Sequence, residues 1–243
     1  PFQSPGFRWD LVMTEPPGAI SPIPPAVRDL ARRLGACEVP AGETVRLVQA
    51  GAMRAEGDEA FRAFCATQTI RLDRCGFRWR AKTGPLGLVS VTDAYADDVP
   101  TLEVRALGVI PLARGPNDAD AAKGEIMRYL AELAWAPDAL LRNRTLDWDI
   151  LDERRLAVRH GEGVRRAEVE LRLDDQGRIG AIFAPDRPRH EGSRFVARQW
   201  RGRFFDYRQH AGRWLPFQAE VAWGLDGRQV TVWRGKIVGW RLG

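Results

Sequence analysis

Two-residue periodicity dominates this chain and leaves room for one long helix. Apolar and charged residues alternate in segment after segment on both sides of Gly124 to Leu141, GEIMRYLAELAWAPDALL. In that stretch the apolar spacing changes to three and four over several turns. Side chains on a strand point to opposite faces in turn, so alternation specifies strands with one buried and one wetted face. Such strands form antiparallel sheets. Strands and helices do not alternate, which argues against a parallel Rossmann-like sheet. No fixed-period repeat of the blade or solenoid kind is visible either.

Along the chain, residues 1–25 carry seven of the 16 prolines and form an extended or turn-like arm that can pack through Phe2, Phe7 and Trp9. Pro24-Pro25 open a short N-terminal helix, Ala26 to Leu34, with Val27, Leu30, Ala31 and Leu34 on one face and Gly35 as its cap. It reads as a cover for one sheet edge or as a movable lid over a cavity. From Glu43, Val45 and Leu47 alternate with Arg46; Phe61, Ala63 and Cys65 alternate with Arg62 and Phe64; Phe77, Trp79 and Ala81 alternate with Arg78, Arg80 and Lys82. Leu86 to Tyr95 and Thr101 to Ile110 follow, the latter with Leu102, Val104 and Ala106 on one face. Gly57-Asp58, Gly76, Thr83-Gly84-Pro85 and Asp97-Asp98 punctuate these strands.

Asp118 or Asp120 is the expected N-cap of the central helix, whose stripe is Ile126, Tyr129, Leu130 and Leu133. Pro137 stops it, and a short turn over Asp138 to Leu141 follows. Strands then resume at Leu146 to Ile150, Arg155 to His160 and Arg165 to Leu173. Arg178 to Ala184 comes next, with Ile179, Ala181 and Phe183 inward. Three aromatic-rich segments close the chain: Phe195 to Tyr207, Trp214 to Trp223 and Val230 to Trp240. The expected fold is mainly β (α+β), about a dozen antiparallel strands around one central helix. No linker divides it, so residues 26–243 read as a single domain behind the arm of residues 1–25.

Charge and cysteine content exclude little. The net charge is +5, yet 34 of the 37 basic residues are Arg, scattered from Arg8 to Arg241. Nucleic-acid footprints are clustered stripes, so no nucleic acid is expected as a partner. Cys37, Cys65 and Cys75 are odd in number and lack C-x-x-C spacing, which gives neither a disulfide framework nor a zinc site. No apolar run is long enough for a membrane-spanning helix. The chain begins at Pro1, so a removed or trimmed N-terminal segment could supply membrane association; cell envelope and cytoplasm both stay open.

Motifs for chemistry are few. His160, His190 and His210 have no metal-ligand spacing, and no serine lies in G-x-S-x-G. Neither G-x-G-x-x-G nor a Walker sequence is present, so no cofactor is expected. Four carboxylates, Asp93, Glu132, Asp206 and Glu220, could serve acid–base catalysis if two of them converged in a cleft. They could equally pair with the abundant Arg. Aromatic residues carry more signal, because five of the nine Trp fall at or after residue 200. On curved antiparallel strands such side chains either line an apolar cavity or fill a core.

The helix segment, with its Arg128-Tyr129-Leu130-Ala131-Glu132-x-x-Trp135-x-Pro137 signature, resembles a bacterial family of uncharacterised proteins classed as a domain of unknown function. So do Phe77-Arg78-Trp79, Asp93-Ala94-Tyr95, Trp148, Trp200 to Phe204 with Asp206-Tyr207, Glu220 to Trp223 and Trp233-Arg234-Gly235. Ala136 and Asp138 depart from that family's pattern, which has a bulkier aromatic and a small hydroxyl residue there. The pattern is also similar to lipoprotein-carrier folds of the LolA/LolB kind. That resemblance implies a curved, incompletely closed half-barrel with helices over its open side, holding acyl chains or other apolar ligands in the concavity.

Three functional readings follow. The first is binding or carriage of a lipid or other apolar small molecule. Trp135, Trp200, Phe204, Trp223 and Trp233 would line the concavity, and Arg128, Tyr129 and Glu132 would fix the helix across its mouth. The second is an enzyme, a hydrolase or isomerase, using a pair from Asp93, Glu132, Asp206 and Glu220. The third is a structural or interaction module with a solid core. Oligomeric state is not readable.

Overall fold

The computed structural model describes residues 22–54 and 60–243. The arm up to residue 21, with Phe2, Phe7 and Trp9, and the Gly57-Asp58 turn lie outside the described residues. Thirteen strands among the described residues form one antiparallel sheet, curled into a half-barrel.

The sheet is two meanders joined at its centre. The first runs outward through β1 (Thr44–Met53), β2 (Arg62–Arg71), β3 (Phe77–Thr83), β4 (Val89–Ala96), β5 (Val99–Ala106) and β6 (Ile110–Arg114). The chain then leaves the sheet as α2 (Ala119–Ala131), a 3-10 turn over Glu132–Ala134 and α3 (Ala139–Arg142). An earlier helix, α1 (Pro25–Arg33), precedes the sheet. The second meander starts at the opposite edge and steps back through β7 (Asp147–Ile150), β8 (Arg155–His160), β9 (Ala167–Leu173), β10 (Ile179–Glu191), β11 (Arg194–His210), β12 (Arg213–Leu225) and β13 (Arg228–Leu242). There β13 pairs with β1, from Val45 opposite Leu242 to Met53 opposite Trp233. β6 and β7 remain unpaired edges. α2 links these edges across the concavity, touching β4 and β5 on one arm and β8, β9 and β10 on the other.

Local sequence explains why α2 forms and where it stops. Asp118 caps it by accepting the Ala121 N–H at 2.9 Å. Ile126, Met127, Tyr129, Leu130 and Leu133 are all at most 1% exposed, so the helix is buried on more than one stripe. Its exit is tied to the centre of the sheet by two indoles. Trp135 Nε1 donates to the Pro216 carbonyl and Trp240 Nε1 to the Trp135 carbonyl, both at 2.9 Å. Close aromatic packing on β1 and β13 needs glycine. A Cβ on Gly51 would lie 2.9 Å from the Phe64 ring, and one on Gly235 only 2.2 Å from the Trp233 ring.

α1 buries Val27, Leu30 and Ala31, with Leu34 beyond its end, as its spacing requires. It does not line the cavity described below. Instead it plugs one end of the half-barrel, beside the turns at Gly177 and Gly212. The Trp214 N–H donates to the Leu34 carbonyl, and Gly35, at φ +72°, lies so close to Gly212 that a Cβ would strike its carbonyl. Asp138 fastens this plug. It is fully buried, accepts the Cys37 N–H at 2.5 Å and pairs with Arg213 at 3.2 Å.

Two strand faces differ from the simple alternation. In β2, Phe64 and Ala66 point inward while Ala63 and Cys65 are exposed, in register with Gln68 and Ile70 further along the strand. In β10, Ile179 is inward but Ala181 and Phe183 are not; Ile182 and Ala184 are buried instead. A bulge between Ile179 and Ala181 opposite β9 inserts the residue that reverses the faces. Phe183 is left under the guanidinium groups of Arg172 and Arg201.

Asp138→Ala strands a buried guanidinium and a backbone N–H. It should lower unfolding free energy by roughly 3–5 kcal/mol in urea titration. Asp118→Ala, at an exposed cap, should cost only about 1 kcal/mol. Equal effects would refute the anchoring role of Asp138.

Candidate functional site

Between α2 and the concave face of the sheet lies a cavity of about 300 Å³. One cross-strand row builds its floor: Met53, Trp233, Val221, Gly202 and Ile182 are successive partners across β1, β13, β12, β11 and β10, and all five line the space. Trp135 and Ala131 on the helix side, Phe204, Trp223, Trp200 and Trp79 complete the apolar wall. The rings brace one another. Trp135 meets Phe204 edge-on at 5.4 Å, Phe64 links Trp79 and Trp233 at 5.7 Å each, and Trp200 and Trp223 lie 6.4 Å apart. Small residues at Ala131, Gly202 and Ala219 leave the space that larger side chains would fill.

One side of the cavity is polar, and its groups form a continuous chain. Trp79 Nε1 donates to Gln49 Oε1 at 2.9 Å, and Gln49 Nε2 to Gln68 Oε1 at 3.2 Å. Gln68 Nε2 donates to Glu132 Oε2. Arg128 then donates through Nε to Glu132 Oε1 at 2.9 Å and through Nη1 to Asp93 Oδ2. The Arg128 guanidinium also lies over the Phe77 and Trp79 rings, at 4.7 and 5.2 Å. Burial raises the Glu132 carboxyl above its ordinary value, against the pull of Arg128. Arg128 itself is held charged by Glu132 and Asp93 despite its burial.

Arg187 of β10 stands at the other end of the polar side. Its guanidinium stacks on Trp200 at 4.1 Å and its Nε donates to the Gly124 carbonyl at 3.2 Å. It also forms part of the wall of a second cavity, of about 320 Å³, between β5, β6 and the start of α2. Glu125 lines this second space, and its Oε2 is buried without a hydrogen-bond partner.

The residues singled out from the sequence separate cleanly. Arg128, Glu132, Trp135, Trp200, Phe204, Trp223 and Trp233 all line the central cavity. Tyr129 does not reach it. The helix turns its phenol away, where it donates to the Arg71 carbonyl at 3.2 Å and accepts from Asn143 Nδ2 at 2.9 Å. Of the four carboxylates, Asp93 and Glu132 converge, both on Arg128. Glu220 borders the cavity, but its carboxylate pairs with exposed Arg203 at 3.4 Å. Asp206 sits in left-handed backbone, φ 57°, bound to Arg208 and Gln218 away from the cavity. The converging pair is therefore an ion cluster of two carboxylates around one guanidinium. His160 contacts Thr145, His190 packs on Phe195 and His210 meets the Trp240 carbonyl; no group of three metal-ligating side chains exists among the described residues.

Three contributors escaped the pattern reading. Gln49 and Gln68 occupy inward positions of β1 and β2, where a polar side chain breaks an otherwise apolar row; that interruption is a legible signal. Arg187 lies in the irregular stretch Pro185-Asp186-Arg187-Pro188, where the β10–β11 register shifts between Ala184 and Arg187. A double proline in a strand marks such an irregularity but not the direction of the side chain beside it.

No curated protein matches the sequence. Among solved structures, a DUF1329 family protein from Desulfovibrio piger is 12% identical, with 89% of this chain and 92% of that one covered and a TM-score of 0.50. A LolA superfamily protein from Nitrosomonas europaea is 10% identical over 89% of this chain and 93% of that one, with a TM-score of 0.49. At 12% identity the likeness to the DUF1329 protein is one of fold alone. The sequence itself is more specific: a model of a family of unknown function matches residues 12–235, and the chain belongs to that family, DUF6544.

Proposed function

We propose that this protein binds a small apolar molecule in the aromatic cavity beneath α2, as a binding or carrier protein. The observation that carries the reading is the wall itself. Trp135, Trp200, Phe204, Trp223 and Trp233 surround about 300 Å³, with polar groups gathered on one side. That is the composition and size of a small-ligand site, at the lower end of the usual volume range. Helix α2 is pinned at its exit by two indole hydrogen bonds and along its length by the Arg128 cluster. A space kept open by such anchors is favourable for an apolar occupant, which supplies the packing contacts its lining otherwise lacks. The fold alone assigns no ligand, since similar scaffolds host unrelated functions.

A neutral fluorescent probe, N-phenyl-1-naphthylamine, should bind the lipid-stripped protein and quench its tryptophan emission. Val221→Trp, which fills the floor of the cavity, should weaken that binding about tenfold or more while a cooperative thermal melt persists. A stripped wild-type protein that neither binds the probe nor releases an apolar compound on solvent extraction would sink the reading.

The cluster also sets a pH dependence of stability. Burial and the nearby Asp93 carboxylate push Glu125 up to about 8, from an ordinary value of 4.5, against the opposing pull of Arg187 and Arg128; Glu132 adds to the rise. Between these values the unfolded chain has lost a proton that the folded chain keeps. Stability therefore falls as pH rises through that window. Glu125→Gln should flatten this slope. The variant should exceed wild type by roughly a few kcal/mol at pH 8, and the gap should close towards pH 4.5. Parallel curves from pH 4.5 to 8 in urea titrations would contradict this.

A further inference from the structure

Of the two guanidiniums that line the central cavity, Arg187 is the one without a carboxylate partner. Its Nε reaches the Gly124 carbonyl, but its two Nη groups have no hydrogen-bond partner among the described residues, and no carboxylate lies within ion-pair distance. Arg128, by contrast, is paired on two sides. Arg187 is also the point where the central cavity and the second cavity share a wall. In the walls it shares, three buried polar atoms lack partners. Trp200 is 3% exposed and its Nε1 donates to nothing, and the acceptors Glu125 Oε2 and Asp93 Oδ1 are buried and unpaired. Buried polar atoms are nearly always satisfied, so unpaired atoms gathered in one wall are a place where a polar ligand group gains hydrogen bonds.

Resting on the apolar-binding reading, we propose that the ligand is a single-chain amphiphile with a carboxylate head, its head on Arg187 and Trp200 Nε1 and its tail in the aromatic cavity. Arg187 presents the planar pair of donors that matches a carboxylate. Its stacking on Trp200 fixes the plane of that fork without using the outer Nη groups. The local charge favours a monoanion over a dianion. With Glu125 protonated, Asp93 and Glu132 already balance the two guanidiniums, so a head of one negative charge is tolerated beside Arg187 better than a head of two. Glu125, with its proton retained at neutral pH, can donate to the same head. Burial lowers the Arg187 pKa, the sign of a cation that its protein surroundings do not fully compensate.

The test compares n-octanoate, 1-octanol and monooctyl phosphate at pH 7 by titration calorimetry on lipid-stripped protein. Octanoate should bind about tenfold or more tightly than octanol, and more tightly than the phosphate. Arg187→Met should abolish the preference by weakening octanoate alone, with octanol within about threefold of wild type. Trp200→Phe, which keeps a ring and deletes one donor, should weaken octanoate several-fold and serves if Arg187→Met does not fold. Equal binding of octanoate and octanol, or a preference that survives in Arg187→Met, overturns the assignment. Tighter binding of the phosphate overturns it in favour of a phosphorylated amphiphile. Binding of the neutral naphthylamine probe without octanoate binding removes the carboxylate head and leaves the apolar-binding reading standing; loss of both removes both.

Discussion

The Arg128 guanidinium is the interaction on which the arrangement of this molecule depends. It joins the middle of the helix to the sheet through charge, where the indoles at its exit and Arg187 near its start bond only to main-chain carbonyls. Glu132 lies on the same side of the helical segment, one turn on, and Asp93 lies on β4. Through Glu132 the pairing continues to Gln68 on β2 and Gln49 on β1, so one charge couples the helix to three strands. A buried ion cluster is weak evidence of stability, because a well-packed apolar replacement is often as good or better. What charges add is position. Apolar packing tolerates a helix that slides inward to fill space, whereas Arg128 and Glu132 lose their partners if it does. The cluster acts as a spacer as much as a clamp.

Topology makes such a spacer necessary. The two meanders meet where β1 pairs with β13, and the outer edges β6 and β7 never join. A curled sheet with open edges has an apolar concave face that must be covered, and the segment linking those edges is the element in position to cover it. α2 therefore carries both the covalent connection and the inner layer. Its exit is held by Trp135 and Trp240 through main-chain carbonyls, interactions that survive wholesale change of neighbouring side chains. The cavity lies where the helix is held by polar contacts rather than by interdigitating side chains.

Much of this was legible in the residue pattern, and the failures are informative. Period two identified the strands, and period 3.6 identified α2 and its buried stripe, because each element has one face against a common core. Of the five late tryptophans, Trp200, Trp223 and Trp233 face the cavity, since β11, β12 and β13 lie side by side opposite the helix, while Trp214 and Trp240 do not line it. Tyr129 was misplaced for a simple reason. Arg128 and Tyr129 are adjacent, so a helix sends them about 100° apart, and only one can face the cavity. Asp206 was misread because its left-handed backbone interrupts β11, and alternation does not foresee such a break. The inverted faces of Ala181 and Phe183 share that origin in a bulge. Periodicity reports the average geometry of an element; sites are built where that geometry is locally violated.

Arg187 is the clearest case. Two prolines flank the Asp186-Arg187 step, and the strand pairing shifts there, so the ladder cannot dictate where the side chain points. The position carries a long cation that lies flat on an indole and keeps two donors unspent. A folded protein can afford one such group, since an imperfectly satisfied buried cation costs a few kcal/mol against a marginal total. It does so here beside a second cost of the same kind, the Glu125 carboxyl raised by its own burial. Two unfavourable groups side by side in the wall between two cavities are not required by the fold, because the Arg128 cluster already fixes the helix. They make physical sense as a set if a third group completes them: an acceptor that satisfies Arg187 and Trp200, delivered with an apolar tail that occupies the space behind.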